Sequence, residues 1–207
     1  MSSFTKLRAM PDLRRELQPA RRRRADAERS IAAILDAAVD VLTDRPDASI
    51  DQIANAAGVS RQTVYAHYES REALIEAVIE RALAETVAAI DAAEPTKGDP
   101  AEALDRLVSA GWQTLERYPL LMDLRAPMSA EEEHERHRPI LDRLERLIRR
   151  GQRARVFDRR LSPTWLLAAF LALSHAAAEE VRAGRMSNDN AARSLRRTVR
   201  RVFGVNA

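Results

Sequence analysis

Apolar positions recur at helical spacing along almost the whole chain, with charged and small polar residues between them. From about Asp26 to Leu42, the residues Ile31, Ile34, Leu35, Ala38, Val41 and Leu42 share one face, and Asp44-Arg45-Pro46-Asp47 then breaks the pattern. A second helix follows Ser49, which forms an S-x-x-Q capping box with Gln52, and Ile50, Ile53, Ala54 and Ala57 face inward. Gly58 closes this helix at low cost, because glycine takes a left-handed backbone without a Cβ clash. Ser60 caps a short third helix reaching about His67. Ser70 caps a fourth, whose stripe is Leu74, Val78, Ile79, Ala82, Leu83, Val87 and Ile90. Two short helices across a tight Ala57-Gly58-Val59 turn, with a third close behind, have the layout of a helix-turn-helix.

Glu94 to Pro100 reads as a linker. Beyond it the pattern predicts a helix over Pro100 to Arg117 and another from Tyr118-Pro119 to about Leu124. Next comes a charged amphipathic helix from about Ala130 to Arg150, with Ile140, Leu141, Leu144, Leu147 and Ile148 inward. Pro139 should start or kink it and Gly151 should stop it. Ser162-Pro163 opens a nearly all-apolar helix to about Ala183, and Ser187 with Asn188 opens a last one to about Phe203. The expectation is an all-α fold of about nine helices in three parts: a basic flexible arm over 1–24, a helix-turn-helix domain over 25–72, and a helical domain over 73–207.

Composition agrees, since 6 glycines and 45% hydrophobic residues suit a packed helical core. With no cysteine, disulfides, thiolate chemistry and cysteine–zinc sites are excluded. The N-terminus lacks the apolar stretch of a secretory signal. The run Trp165 to Ala178 is interrupted by Ser174 and His175 and is too short to span a bilayer. A cytoplasmic protein without a membrane partner is expected. The net charge of +3 is unevenly spread, because Lys6, Arg8, Arg14, Arg15 and Arg21 to Arg24 face only Asp12 and Glu16 within residues 1–24, leaving the rest net acidic. Such an arm suits phosphate contacts, and it equally suits a solubilising tail.

Helix 61–67 carries the chemistry of a base reader. Arg61 matches the paired acceptors of guanine and Gln62 the donor–acceptor pair of adenine, each worth roughly 1–3 kcal/mol of discrimination. Ser60 is among the polar side chains this helix offers, and Thr63, Tyr65, His67 and Tyr68 have hydroxyl or imidazole groups suited to phosphates, though Tyr65 also suits interhelix packing and His67 a cap. Ser70 and Arg71 open the fourth helix, whose N-terminus favours an anion, and Ser70 serves equally as a plain cap.

Ile53-Ala54, Ala57-Gly58-Val59-Ser60, Thr63-Val64-Tyr65, His67-Tyr68 and Ser70-Arg71-Glu72-Ala73-Leu74 together resemble the DNA-binding domain of TetR-family transcriptional regulators. The resemblance is specific over the first domain and generic beyond residue 95. It implies a homodimer whose reading heads enter successive major grooves of a palindromic operator, usually as a repressor released by a small-molecule effector. It places the Arg61, Gln62 and Thr63 positions at the groove, and those of Tyr65, His67 and Arg71 on phosphates. Asp51 departs from the family, where a polar or basic phosphate contact is common in helix 2. Tyr68 replaces the usual phenylalanine, Arg71 the usual lysine, and the arm holding Arg21, Arg22, Arg23 and Arg24 is longer than usual.

In the second domain, Trp112, Leu115, Tyr118, Met122, Leu144, Phe170 and His175 are candidates to line an effector pocket, against the alternative that they are core. Leu166, Ala169, Leu173, Ala176, Leu195, Val199 and Val202 are candidates for a four-helix dimer interface, against burial within one chain. His134 and His137 lie three apart beside Glu131 to Glu135, a spacing that admits a metal, although a solvated helix start explains it better. No phosphate-binding glycine loop and no nucleophile–base pair is present, so neither an enzyme nor a cofactor is expected. The competing function is a DNA-binding architectural or adaptor protein without a ligand.

Overall fold

The computed structural model describes residues 13–118 and 129–205, with side chains from Ala25 onward except at 130 and 133. Its described residues form eight α-helices and no strand: α1 Leu13–Asp44, α2 Ile50–Ala56, α3 Arg61–His67, α4 Arg71–Ala92, α5 Pro100–Arg117, α6 Ala130–Arg153, α7 Pro163–Arg182 and α8 Asn188–Val202. The helix expected over 118–124 lies mostly outside the described residues, as does Met122. Serine or aspartate caps open seven of the helices (Ser49, Ser60, Ser70, Asp99, Ser129, Ser162 and Ser187), each accepting a free backbone N–H of the first turn.

Three local expectations are corrected. The first helix begins at Leu13 and not at Asp26, so half of the presumed arm is helical. The segment is rich in arginine, leucine, glutamate and alanine, strong helix formers that continue the helix without an apolar period of their own. Pro139 lies inside α6, so it does not start the helix, the first of the two effects expected of it. Gly151 does not stop that helix either; it lies inside, where a Cβ would sit 2.1 Å from Cδ2 of Phe157. The glycine leaves room for the Phe157 ring, which is buried and meets Phe203 edge-on at 5.3 Å. Gly151→Ala should therefore cost at least the ~1–3 kcal/mol typical of overpacking and lower the urea midpoint with little change in slope.

Two cores share the molecule. One joins α1, α2, α3 and the first half of α4 through Ile34, Leu42, Ile53, Val64, Leu74, Val78 and Ala82. The other joins the end of α4 at Ile90 to α5, α6, α7 and α8. A division at residue 72 thus separates α4 from part of what it packs against.

The second core absorbs several residues expected elsewhere. Leu166, Leu195 and Val199 are buried inside it and present nothing to a partner. The reason is that α8 has one apolar stripe, Ala191, Leu195 and Val199, and its own domain uses it, leaving mostly polar residues and arginines outside. Ala169, Leu173 and Val202 are half-buried and Ala176 is exposed. Leu144 and Phe170 are core residues rather than cavity lining. Tyr118 joins the other core altogether, 1% exposed beside α1 and α4.

Candidate nucleic-acid interface

The helix-turn-helix is assembled by local bonds. The Ser49–Gln52 capping box is closed in both directions, with the Ser49 N–H donating to Gln52 Oε1 at 2.8 Å. Gly58 takes φ 68°, and Val59 N–H then reaches back to the Ala54 carbonyl at 3.0 Å. Ser60 Oγ accepts the Thr63 N–H at 3.1 Å and shares a hydrogen bond with Thr63 Oγ1 at 2.8 Å. Val64 and Ile53, both 0% exposed, fix the inner side of α3. Its outer side is therefore set: Arg61, Gln62, Tyr65 and Ala66 are exposed, with Thr63 and His67 half-buried.

Arg61 is not loose on this surface. Its Nη1 donates to Asp51 Oδ2 of α2 at 2.8 Å, and its guanidinium lies 5.3 Å from the Tyr65 ring centre. Nη2 leans toward the Tyr65 hydroxyl at 3.4 Å, a long contact. Tyr65 first and then Asp51 hold the Arg61 charge more firmly than an ordinary guanidinium. Tyr65 is one of the large apolar side chains left exposed, at 41%, on the same face.

Other expected contacts are placed differently. Arg71 spends Nε on the Ala48 carbonyl at 3.1 Å and Nη2 on that of Pro46. It straps the turn between α1 and α2, whose carbonyls lie beyond the helix end and need donors. Two of its three guanidinium nitrogens are thereby engaged within the protein. Ser70 caps α4 by accepting the Ala73 N–H at 3.0 Å. Tyr68 is half-buried against the first core, which raises its pKa, so packing accounts for its ring. The side chains of Arg21 to Arg24 lie outside the described ones. The Arg61–Asp51 link has no local signal in the sequence, because nine intervening residues and a turn separate the pair.

In the second domain, Trp112 and Leu115 line a groove of about 170 Å³ with Ala178, Val181, Arg182 and Asn188. His175 is half-buried on α7 and is not among the groove's lining residues. Among the described residues no group of three or more histidines or carboxylates is placed to hold a metal, and no helix is long and apolar enough to cross a membrane.

A family model described as "Bacterial regulatory proteins, tetR family" matches residues 34–78, the stretch from mid α1 into α4. The HTH-type transcriptional repressor LfrR of Mycolicibacterium smegmatis is 45% identical over 83 residues, which span 40% of this chain and 44% of that protein, less than half its length. The HTH-type transcriptional regulator NfxB of Pseudomonas aeruginosa is 28% identical over 170 residues, covering 81% of this chain and 89% of that protein. The crystal structure of LfrR in complex with proflavine superposes with a TM-score of 0.64 and 28% identity, over 84% of this chain and 96% of that one.

Proposed function

Because this chain belongs to the TetR family of bacterial regulatory proteins, we propose that it is a DNA-binding transcriptional repressor. It acts as a homodimer on a palindromic operator and is released by a small-molecule effector. One observation carries the DNA-binding reading: α3 is docked by Val64 and turns Arg61, Gln62 and Tyr65 outward beside Thr63. A docked helix with polar, bidentate-capable side chains outward fits the major groove. In this reading Arg61, Gln62 and Thr63 meet base edges, while Ser60, Tyr65, His67 and the α4 start at Ser70 meet phosphates. Arg21 to Arg24, in the N-terminal half of α1, add phosphate contacts. Arg71 acts indirectly, by holding the turn that seats α2.

The homodimer reading draws on α7. Trp165 is 61% exposed, and Ala168, Ala172 and Ala176 continue its outer face at helical spacing. Small residues let two such helices approach closely, and a large exposed aromatic favours burial by a second copy. The effector reading draws on LfrR, whose structure holds proflavine. The groove at Trp112 and Leu115, about 170 Å³, falls below the ~300–1,000 Å³ of most ligand pockets. The rival reading is a DNA-binding protein without an effector. The two separate on whether any small molecule lowers operator affinity.

Genomic fragments retained by the purified chain should share a motif with two-fold symmetry when sequenced. Retained fragments no different from the input pool would overturn the proposal.

A further inference from the structure

We propose that Asp51 is a positioning residue for Arg61 and sets the chain's discrimination between cognate and other DNA. The inference deepens the proposed function and rests on α3 meeting the major groove. An unrestrained arginine must lose rotamer freedom before it makes a bidentate pair. Here that freedom is already restricted. Asp51 Oδ2 holds Nη1 from one side, and the Tyr65 ring faces the guanidinium at 5.3 Å. Arginine carries five N–H donors, so one bond to Asp51 leaves enough for the O6 and N7 acceptors of a guanine.

The pair also has an electrostatic effect. Both side chains are more than half exposed, at 59% for Arg61 and 53% for Asp51, on the face that would approach the duplex. On DNA lacking the guanine, the Arg61 charge is already neutralised, and Asp51 repels nearby phosphates. Non-specific binding comes almost wholly from charge neutralisation, so the pair suppresses it. On a site with the guanine, the held guanidinium makes base contacts that do not need its net charge. Asp51 therefore lowers affinity for DNA in general and raises the ratio between right and wrong sequences. As an exposed ion pair it contributes little to folding.

The test enriches a pool of duplex oligonucleotides with a randomised core on wild type, Asp51→Asn and Arg61→Ala. Affinity for a fixed, motif-free duplex is then measured against salt. The expected result for Asp51→Asn has three parts: tighter binding to the motif-free duplex with a steeper salt slope, a several-fold weaker guanine preference at one motif position, and an unchanged thermal midpoint. Arg61→Ala should lose that preference entirely. Equal guanine preference in wild type and Asp51→Asn would overturn the proposal while leaving the DNA-binding reading intact. Enrichment of no motif by wild type would overturn that reading and this inference with it. A lowered midpoint with a proportionate loss on every duplex would make Asp51 merely structural and also overturn it.

Discussion

Arg61→Ala is expected to weaken operator binding the most of any single change on α3. A bidentate arginine–guanine pair supplies roughly 1–3 kcal/mol of discrimination, and a symmetric dimer loses it at both half-sites. The combined loss is then about 2–6 kcal/mol, or on the order of 30-fold at the least. The substitution also leaves Asp51 without its 2.8 Å partner, a bare carboxylate facing phosphates. Fluorescence anisotropy on a captured operator, read beside a motif-free duplex, checks this. The cognate affinity should fall far more than the background, because the lost contact reads a base. An equal fall on both duplexes would mean that Arg61 touches only the backbone.

The largest effect on stability is expected at Tyr118. This residue ends α5, yet its ring is 1% exposed within the core formed by α1, α2, α3 and α4. Around it Arg81 bonds Asp36 at 2.7 Å and Glu85 at 3.0 Å, while Arg117 approaches Glu85 at 3.5 Å and lies over the Tyr118 ring at 5.6 Å. Burial, and after it Glu85, pushes the Tyr118 pKa up, so the hydroxyl stays protonated at neutral pH. Tyr118→Ala should cost about 3–5 kcal/mol by emptying this site, a large share of the ~5–15 kcal/mol that holds a typical domain together. Urea unfolding measures it. Tyr118→Phe should cost far less, at most about 1.5 kcal/mol, because the ring still fills the site and only the hydroxyl's interaction with Glu85 is lost. The position also links the second domain to the first, since any shift of the α5 end moves a ring packed against α1 and α4.

The features legible in the sequence were those decided locally. Ser49 with Gln52, Ser60, Ser70, Ser162 and Ser187 announce helix starts because a cap acts on residues two or three positions ahead. Val64 and Ile53 were legible as inner residues because the helical period sorts faces. What failed depended on distant partners. The period shows that Leu166, Leu195 and Val199 lie on apolar faces, and it does not say whether another helix or another molecule covers them. Gly151 looks like a terminator until Phe157 is found against it. The strap that Arg71 makes to the carbonyls of Pro46 and Ala48 spans more than twenty residues and has no local signal. Tyr118 resembles pocket lining in sequence because its neighbours on α5, Trp112 and Leu115, do line a groove.

The central claim is that α3 reads bases from the major groove. Replacing the guanines of a captured operator by 7-deazaguanine tests it most directly. That change deletes the N7 acceptor in the major groove and leaves Watson–Crick pairing and the minor groove as they were. The account predicts a marked loss of affinity for the wild-type chain and a much smaller one for Arg61→Ala, which has already lost the contact. Equal affinity for the two duplexes in the wild-type chain would contradict it.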